Sequence, residues 1–175
     1  TPVRILREEL ALPYRARLID REGGELASPA YRALHPLGKI PVLETPEGPL
    51  FETSAIPLWL ADTHAPGRFA PAPGTEGRGA FLKWLFFATS NLHPAVLELY
   101  YPDRVAGPDA TAALIPLAAA RARAALAALE AGAKASPGIF PADRPSLLGI
   151  YIGTLVRWLR QLPDGHPGLV HAAAA

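Results

Sequence analysis

A stretch rich in proline and glycine, residues 64–78, constrains the fold most, because it separates two segments of different pattern. Before it, helix-like and strand-like periodicities alternate. After it, the pattern is helical throughout. We therefore predict two domains, residues 1–63 and 79–175, joined by a linker at residues 64–78.

The first segment has the pattern of an α/β unit. Apolar residues at helical spacing predict a helix over residues 3–11, and alternating residues predict a strand over residues 14–19. Two short strands, residues 41–44 and 50–52, flank a turn of hairpin composition, and Thr53 is predicted to cap the next helix. This order lacks a strand before the first helix, so we expect one to precede the first residue.

The second segment predicts three long helices, over residues 80–101, 109–132 and 146–162. The first of them contains Pro94. A proline inside a helix removes a backbone donor and crowds the preceding turn, so we expect a kink there. Together the two segments predict an α/β domain followed by an all-helical domain.

The composition excludes several kinds of site. The sequence has no cysteine, which excludes disulfides, cysteine-ligated zinc and a catalytic thiol within these residues. The five histidines show no metal-ligand spacing, so we expect no metal. The net charge of +1 and the scattered arginines argue against a nucleic-acid partner. No uninterrupted apolar run reaches the ~18 residues of a membrane span, and no secretory signal is visible, so a cytoplasmic protein without a membrane partner is expected.

One segment carries the chemistry: His35-Pro-Leu-Gly-Lys-Ile-Pro-Val-Leu43, followed after the hairpin by Leu50-Phe-Glu-Thr-Ser-Ala-Ile56. It resembles the glutathione S-transferase superfamily of the bacterial, cytosolic type, whose pattern is Asn-Pro-x-Gly-Lys-Val-Pro-x-Leu and then Glu-Ser-x-Ala-Ile. His35, Ile40 and Thr53 replace asparagine, valine and serine of that pattern. The resemblance implies a thioredoxin-like N-terminal domain, its first strand preceding the sequence, and a helical-bundle C-terminal domain.

The resemblance also implies a glutathione site built from Lys39, Ile40, Pro41, Glu52 and Thr53. The peptide bond before Pro41 is expected to be cis, which leaves the Ile40 backbone groups free to pair with the cysteinyl unit, as a strand edge pairs with an added strand. Thr53 and the helix start would hold the γ-glutamyl carboxylate. Glu52 would hold the γ-glutamyl ammonium group, and Lys39 the glycine end of the peptide.

Catalysis requires a group that stabilises the glutathione thiolate, because a free cysteine thiol titrates near pH 8.5. In the family this group lies at or before the start of the first helix. We expect it to precede Thr1, and Thr1 is the candidate within the sequence. Trp84, Phe87, Asn91 and His93 lie on the helix that, in the family, lines the second-substrate pocket, and the first three are the candidates for that pocket. Trp84 and Phe87 are equally well explained as interdomain core. His93, next to Pro94, is interpreted as part of the kink rather than as an acid or base.

The predicted function is transfer of the glutathione thiolate to a small hydrophobic electrophile, a detoxification reaction, with glutathione as the co-substrate. A glutathione-dependent isomerase of the maleylacetoacetate isomerase type is a close alternative. A non-catalytic interaction module is the alternative from another class, because the fold also serves in translation and transcription factors. The resemblance further implies a homodimer.

Overall fold

The computed structural model describes residues 1–141 and 143–160. The first part of the chain contains three helices and a hairpin: α1 (Pro2–Glu9), α2 (Pro29–Leu34), β1 (Val42–Thr45), β2 (Gly48–Phe51) and α3 (Ala55–His64). The second part contains α4 (Arg78–Phe87), α5 (His93–Tyr100), α6 (Pro102–Ala106), α7 (Thr111–Ala135) and α8 (Leu147–Leu159). Short 3₁₀ turns lie at Glu25–Ala27, Pro108–Ala110 and Pro137–Ile139. This order confirms the predicted α/β plus all-α class.

The first two helices begin at the same local signal, a hydroxyl residue followed by proline. The Thr1 hydroxyl oxygen accepts a hydrogen bond from the Arg4 N–H at 3.4 Å, and Pro2 is the first helical residue. The Ser28 hydroxyl oxygen likewise accepts a hydrogen bond from the Tyr31 N–H at 3.1 Å, and Pro29 is the first residue of α2. Proline is suited to this position because a first-turn N–H has no intrahelical partner anyway.

The hairpin is antiparallel and pairs Val42 with Phe51 at its open end and Thr45 with Gly48 at its turn. The Thr45 hydroxyl closes the turn by donating to the Gly48 carbonyl at 2.8 Å and accepting from the Glu47 N–H at 3.2 Å. The hairpin therefore holds residues 40–41 and residue 52, which flank its open end, close to each other.

The strand predicted over residues 14–19 is wrong for the described chain, whose sheet contains β1 and β2 only. A strand needs a neighbour for its backbone hydrogen bonds, and no described strand lies beside this segment. Side chains fix it instead: Arg17 forms an ion pair with Glu25, and the Glu25 carboxylate also accepts from the Asp20 N–H at 2.8 Å. Leu18 is 95% exposed as a result.

The cap predicted at Thr53 is also wrong. Helix α3 begins at Ala55 after Ser54, without a side-chain cap, because Glu52 turns the backbone sharply at φ 80°. The Glu52 carbonyl accepts the Ile56 N–H at 3.2 Å, so residues 53–54 form a turn between the hairpin and the helix.

One apolar core runs through both parts of the chain. Leu6 of α1 and Ile56 of α3 are fully buried in the same cluster as Phe81, Leu92 and Tyr151 of the helical part. Because these side chains share one core, the two parts cannot separate without exposing apolar surface to water.

Polar contacts fix the connection between the two parts. The Arg78 guanidinium at the start of α4 donates to both carboxylate oxygens of Asp62 in α3, at 2.8 and 2.6 Å. It also donates to the Pro71 carbonyl at 2.8 Å. The Leu147 N–H at the start of α8 donates to the Phe69 carbonyl at 2.8 Å. The segment between α3 and α4 is therefore held against the starts of α4 and α8.

One described helix, residues 108–135, is long and apolar enough to cross a membrane by length and composition. A third of its most apolar stretch is buried within the fold, and core helices of soluble proteins meet the same criteria. One such helix is therefore weak support for a membrane span.

Candidate functional site

The segment before the hairpin is held in a tight bend by Gly38 and Tyr31. Gly38 has φ 60°, and a β-carbon there would lie 2.3 Å from the Leu26 carbonyl oxygen, so no other residue fits without displacing the backbone. The buried Tyr31 hydroxyl donates to the Lys39 carbonyl at 2.9 Å. The Ile40–Pro41 bond that follows is cis, which confirms the prediction.

The bend presents an unpaired piece of backbone. Within the described part of the chain, the N–H and C=O of Ile40 take part in no hydrogen bond, and its side chain is 43% exposed. These two groups are thus available to an extended peptide that lies along residues 39–41.

Glu52 and Thr53 lie at the other side of the hairpin's open end. Glu52 adopts the left-handed conformation, which is uncommon for a residue other than glycine. The preceding residue, Phe51, packs its ring against the buried His35 ring with centroids 4.7 Å apart. His35 Nδ1 in turn accepts the Leu37 N–H at 3.1 Å, so this contact links the two sides of the site.

Two opposite charges at this site form no ion pair within the described part of the chain. The side chains of Lys39 and Glu52 are exposed, and neither forms an ion pair or hydrogen bond with any described residue. The Ile40 backbone lies between them in the chain and Thr53 follows Glu52. A ligand that carries both an ammonium group and carboxylates, joined by peptide groups, matches this combination of cation, anion and backbone hydrogen-bonding groups.

The helical part contains a polar contact between His93 and Tyr151, a pair that was not predicted. His93 Nδ1 lies 2.7 Å from the hydroxyl oxygen of Tyr151, which is 1% exposed. Burial lowers the pKa of His93 and raises that of Tyr151, and the Glu52 carboxylate raises both. No local sequence signal indicates this pair, because its members are separated by 58 positions.

The structure places the residues proposed for the second-substrate pocket in two different surroundings. Trp84 packs its ring against Gly132 of α7. Phe87 and Asn91 instead line a groove of about 300 Å³, which lies between α7 and the region of α4 and α5. The Glu98–Arg121 ion pair also lines this groove. The Asn91 side-chain amide donates to the Phe87 carbonyl at 3.0 Å. Their assignment to an electrophile pocket stays a prediction.

Thr1 caps α1, which packs against α3 and α8. Its role in activating a thiol also stays a prediction. Among the described residues, no three acidic or histidine side chains are grouped so that they could hold a metal ion.

Residues 1–63 match the family model for the N-terminal domain of glutathione S-transferases. The whole fold also matches solved glutathione transferases. A glutathione S-transferase from Pseudomonas fluorescens is 25% identical with a TM-score of 0.75, and the match covers 98% of this chain and 85% of that one. The chain belongs to the glutathione S-transferase superfamily. Its first part is thus a thioredoxin-like domain with a small sheet, followed by the helical domain of this superfamily.

The fold is shared with more distant members of the superfamily. The glutathione transferase URE2P6 from Phanerochaete chrysosporium, solved in complex with oxidized glutathione, has a TM-score of 0.76 at 23% identity. That match covers 99% of this chain and 83% of the other.

Curated relatives include both transferases and translation factors. Glutathione S-transferase F10 from Arabidopsis thaliana is 34% identical over 82 residues, which are 46% of this chain and 38% of the relative. A protein named probable elongation factor 1-gamma 2, from the same plant, is 29% identical over 108 residues, or 62% of this chain and 24% of the relative. In both cases the match spans less than half of the relative's length.

Proposed function

We propose that this glutathione S-transferase superfamily member binds glutathione at Lys39, Ile40, Pro41, Glu52 and Thr53 and uses it as the co-substrate of a transferase. The observation that carries the proposal is the pair of unpartnered charges, Lys39 and Glu52, on either side of the unpaired Ile40 backbone.

Each part of glutathione has a counterpart at this site. The Ile40 N–H and C=O pair with the cysteinyl unit, as a peptide adds to a strand edge. The Glu52 carboxylate binds the γ-glutamyl ammonium group, and the Thr53 hydroxyl donates to the adjacent carboxylate. Lys39 binds the glycine carboxylate. The cysteinyl sulfur then extends from the middle of the bound peptide.

The proposed reaction forms a bond between that sulfur and an electrophilic carbon. The thiol first loses its proton to solvent water, and the sulfur electron pair then attacks the carbon while a leaving group departs with its bonding electrons. A thiol near its ordinary pKa of about 8.5 is mostly protonated at neutral pH, so the protein must favour the thiolate. Thr1, at the start of α1, is the candidate for that role within the sequence.

The remaining assignments belong to the same proposal. The electrophile is a small hydrophobic molecule bound near Trp84, Phe87 and Asn91. The protein is a cytoplasmic homodimer that acts in detoxification, with domains at residues 1–63 and 79–175 and a linker at 64–78. Light scattering at micromolar concentration tests the dimer, and a monomer mass would contradict it. In the alternative isomerase reaction, glutathione takes part in the rearrangement of the substrate and is released again afterwards.

An interaction module is the second candidate, because relatives named elongation factor 1-gamma match this chain alongside the transferases. The two candidates differ in what the chain binds. A transferase binds glutathione through Glu52, whereas a module that only reuses the fold has no need of the peptide.

Isothermal titration calorimetry with glutathione tests the proposal directly. We expect millimolar or tighter binding, and Glu52→Ala should weaken it by about 1–3 kcal/mol because the ligand ammonium group loses its charged partner. Glu47→Ala is the matched control, since Glu47 is an exposed glutamate at the hairpin turn. Absence of heat and of competition at several millimolar, in a folded protein, would contradict the transferase and favour the module.

A further inference from the structure

Tyr31 is a buried side chain with a direct hydrogen bond to the proposed ligand site, and the proposed function gives it no role. It lies on α2 and is 4% exposed. Its hydroxyl donates to the Lys39 carbonyl at 2.9 Å. A buried phenol hydroxyl needs a hydrogen-bond partner, and here the partner lies in the irregular segment that carries the unpaired Ile40 backbone. The contact therefore joins α2 to the edge on which the ligand is proposed to lie.

The backbone of Tyr31 is itself held on both sides. Its N–H donates to the Ser28 hydroxyl at 3.1 Å, and its carbonyl accepts the His35 N–H at 3.0 Å. The first of these bonds caps the start of α2 and the second closes its end. The phenol thus projects from a short helix that is fixed at both ends, so its hydroxyl is a donor in a fixed place.

The bend after α2 returns the chain to this hydroxyl. His35 begins the bend: its carbonyl accepts the Gly38 N–H at 2.8 Å, and its Nδ1 accepts the Leu37 N–H at 3.1 Å. These two bonds fold residues 35–38 into a compact turn. Lys39 follows the turn directly, and its carbonyl reaches the phenol of a residue eight positions earlier.

The hydrogen bond from Tyr31 acts on the peptide group that contains the Ile40 N–H. The bond between Lys39 and Ile40 is trans, so the Lys39 carbonyl and the Ile40 N–H lie in one plane and point in opposite directions. Because the carbonyl points to the buried hydroxyl, the N–H points away from α2. Rotating this group would break the hydrogen bond and leave a buried hydroxyl unpaired, which is unfavourable. The Ile40 N–H is therefore held in one direction before any ligand binds.

We propose that Tyr31 is a positioning residue of the glutathione site, whose hydroxyl directs the Ile40 N–H toward the carbonyl of the cysteinyl unit. This rests on the proposed function. Tyr31 acts through the Lys39–Ile40 peptide group and does not touch the ligand. Holding this group in its bound orientation raises affinity, because less conformational freedom is lost when the ligand binds.

Isothermal titration calorimetry with glutathione compares the wild type with Tyr31→Phe, which removes the hydroxyl and keeps the ring. We expect a several-fold higher dissociation constant for the variant, the effect of about one hydrogen bond. Tyr14→Phe is the matched control, because the exposed Tyr14 hydroxyl donates to Glu8 of α1 at 3.0 Å. Its affinity should equal that of the wild type. A loss of affinity shared by both variants, or found in neither, would contradict the inference.

Hydrogen exchange of the Ile40 N–H, measured by nuclear magnetic resonance, separates positioning from a purely structural role. This N–H is unpaired in the free chain, so its exchange without ligand requires no unfolding. Saturating glutathione should slow the exchange in the wild type. In Tyr31→Phe, also saturated, it should slow the exchange less, because the N–H is no longer held toward the ligand. Equal slowing in the two saturated proteins would overturn the inference, whatever their affinities.

Failure of this inference differs from failure of the proposed function. If the wild type and Tyr31→Phe bind glutathione equally well and protect the Ile40 N–H equally, then Tyr31 does not position the donor and glutathione binding stands. If the wild type does not bind glutathione, the proposed function is overturned, and the role of Tyr31 with it.

Discussion

Replacing Gly132 with alanine tests whether Trp84 is a packing residue of the helical domain. Gly132 is buried in α7, and a β-carbon at this position would lie 2.1 Å from Cζ2 of Trp84 and 2.7 Å from Cε2. Both distances are far shorter than any contact between carbon atoms, so the indole must shift. That shift is resisted because the indole also packs edge-on against Phe87, with ring centroids 5.5 Å apart.

Two opposing terms set the size of the effect. Alanine favours a helix over glycine by up to about 1 kcal/mol. Inserting a methyl group into a packed core costs about 1–3 kcal/mol. The packing term is the larger, so Gly132→Ala should lower the free energy of unfolding by up to about 2 kcal/mol.

Gly153→Ala is the matched control. Gly153 lies in the middle of α8 and is exposed, and a β-carbon added there would meet no atom within 4 Å beyond its own helix backbone. Only the helix-propensity term applies, so this variant should be more stable than the wild type by up to about 1 kcal/mol. The difference between the two variants then isolates the contact with Trp84.

Urea denaturation followed by far-ultraviolet circular dichroism measures both variants. A change in midpoint at constant slope reports a change in stability alone. If Gly132→Ala is as stabilising as Gly153→Ala, then Trp84 has room to move and is not fixed against α7. The alternative, that Trp84 lines an adaptable substrate pocket, would then be favoured.

Two further predictions concern the domain connection and pH. Arg78→Lys should lower the free energy of unfolding by about 1–3 kcal/mol, because a lysine cannot donate to both Asp62 oxygens and the Pro71 carbonyl. Thermal unfolding measures this change, and Arg123→Lys, at an exposed position, is the near-neutral control. Burial holds the pKa of His93 below its unfolded value of 6.5, so between these two values the unfolded chain binds more protons than the folded one. Stability should therefore fall as the pH drops below about 6.5, and His93→Asn should reduce that fall. Urea denaturation at each pH measures both proteins. If the free energy of unfolding depends on pH equally in both, the burial of this imidazole is contradicted.

The parts of the fold that follow local rules could be predicted from the sequence. The hairpin follows from its turn residues, and the cis bond at Pro41 was expected from the family pattern around it. The last helix begins where predicted, because the Ser146 hydroxyl accepts the Gly149 N–H at 3.0 Å. Residues 161–162 of that predicted helix lie outside the described residues. Each of these features depends on neighbours only a few positions away.

The features that were missed depend on distant partners or on backbone conformation. Residues 14–19 alternate as a strand does, yet a strand forms only beside another strand. Thr53 has the right side chain for a cap, but the left-handed conformation of Glu52 moves the helix start to Ala55. The contact between His93 and Tyr151 joins two helices across 58 positions, and alternation or helical spacing carries no information about it.

Glu52→Gly separates the structural from the functional explanation of this position. A residue other than glycine in the left-handed region costs on the order of 1–3 kcal/mol, and Glu52 has φ 80° with an exposed side chain that no described residue contacts through a hydrogen bond or ion pair. Glycine relieves this cost. It also favours the unfolded chain by about 0.5–1 kcal/mol, because glycine gives that chain more conformational entropy.

Glu52→Gly should therefore be as stable as the wild type or more stable, by up to about 2 kcal/mol, while losing glutathione affinity as Glu52→Ala does. Ala11, at φ 50° and exposed just after the end of α1, provides the matched control: Ala11→Gly should show the same direction in stability and unchanged binding. If Glu52→Gly is clearly destabilised and still binds glutathione, then the carboxylate serves the fold. If both outcomes are as expected, Glu52 lowers stability and forms no ion pair with a described residue. A ligand ammonium group is then the chemistry that fits an exposed carboxylate beside the unpaired Ile40 backbone.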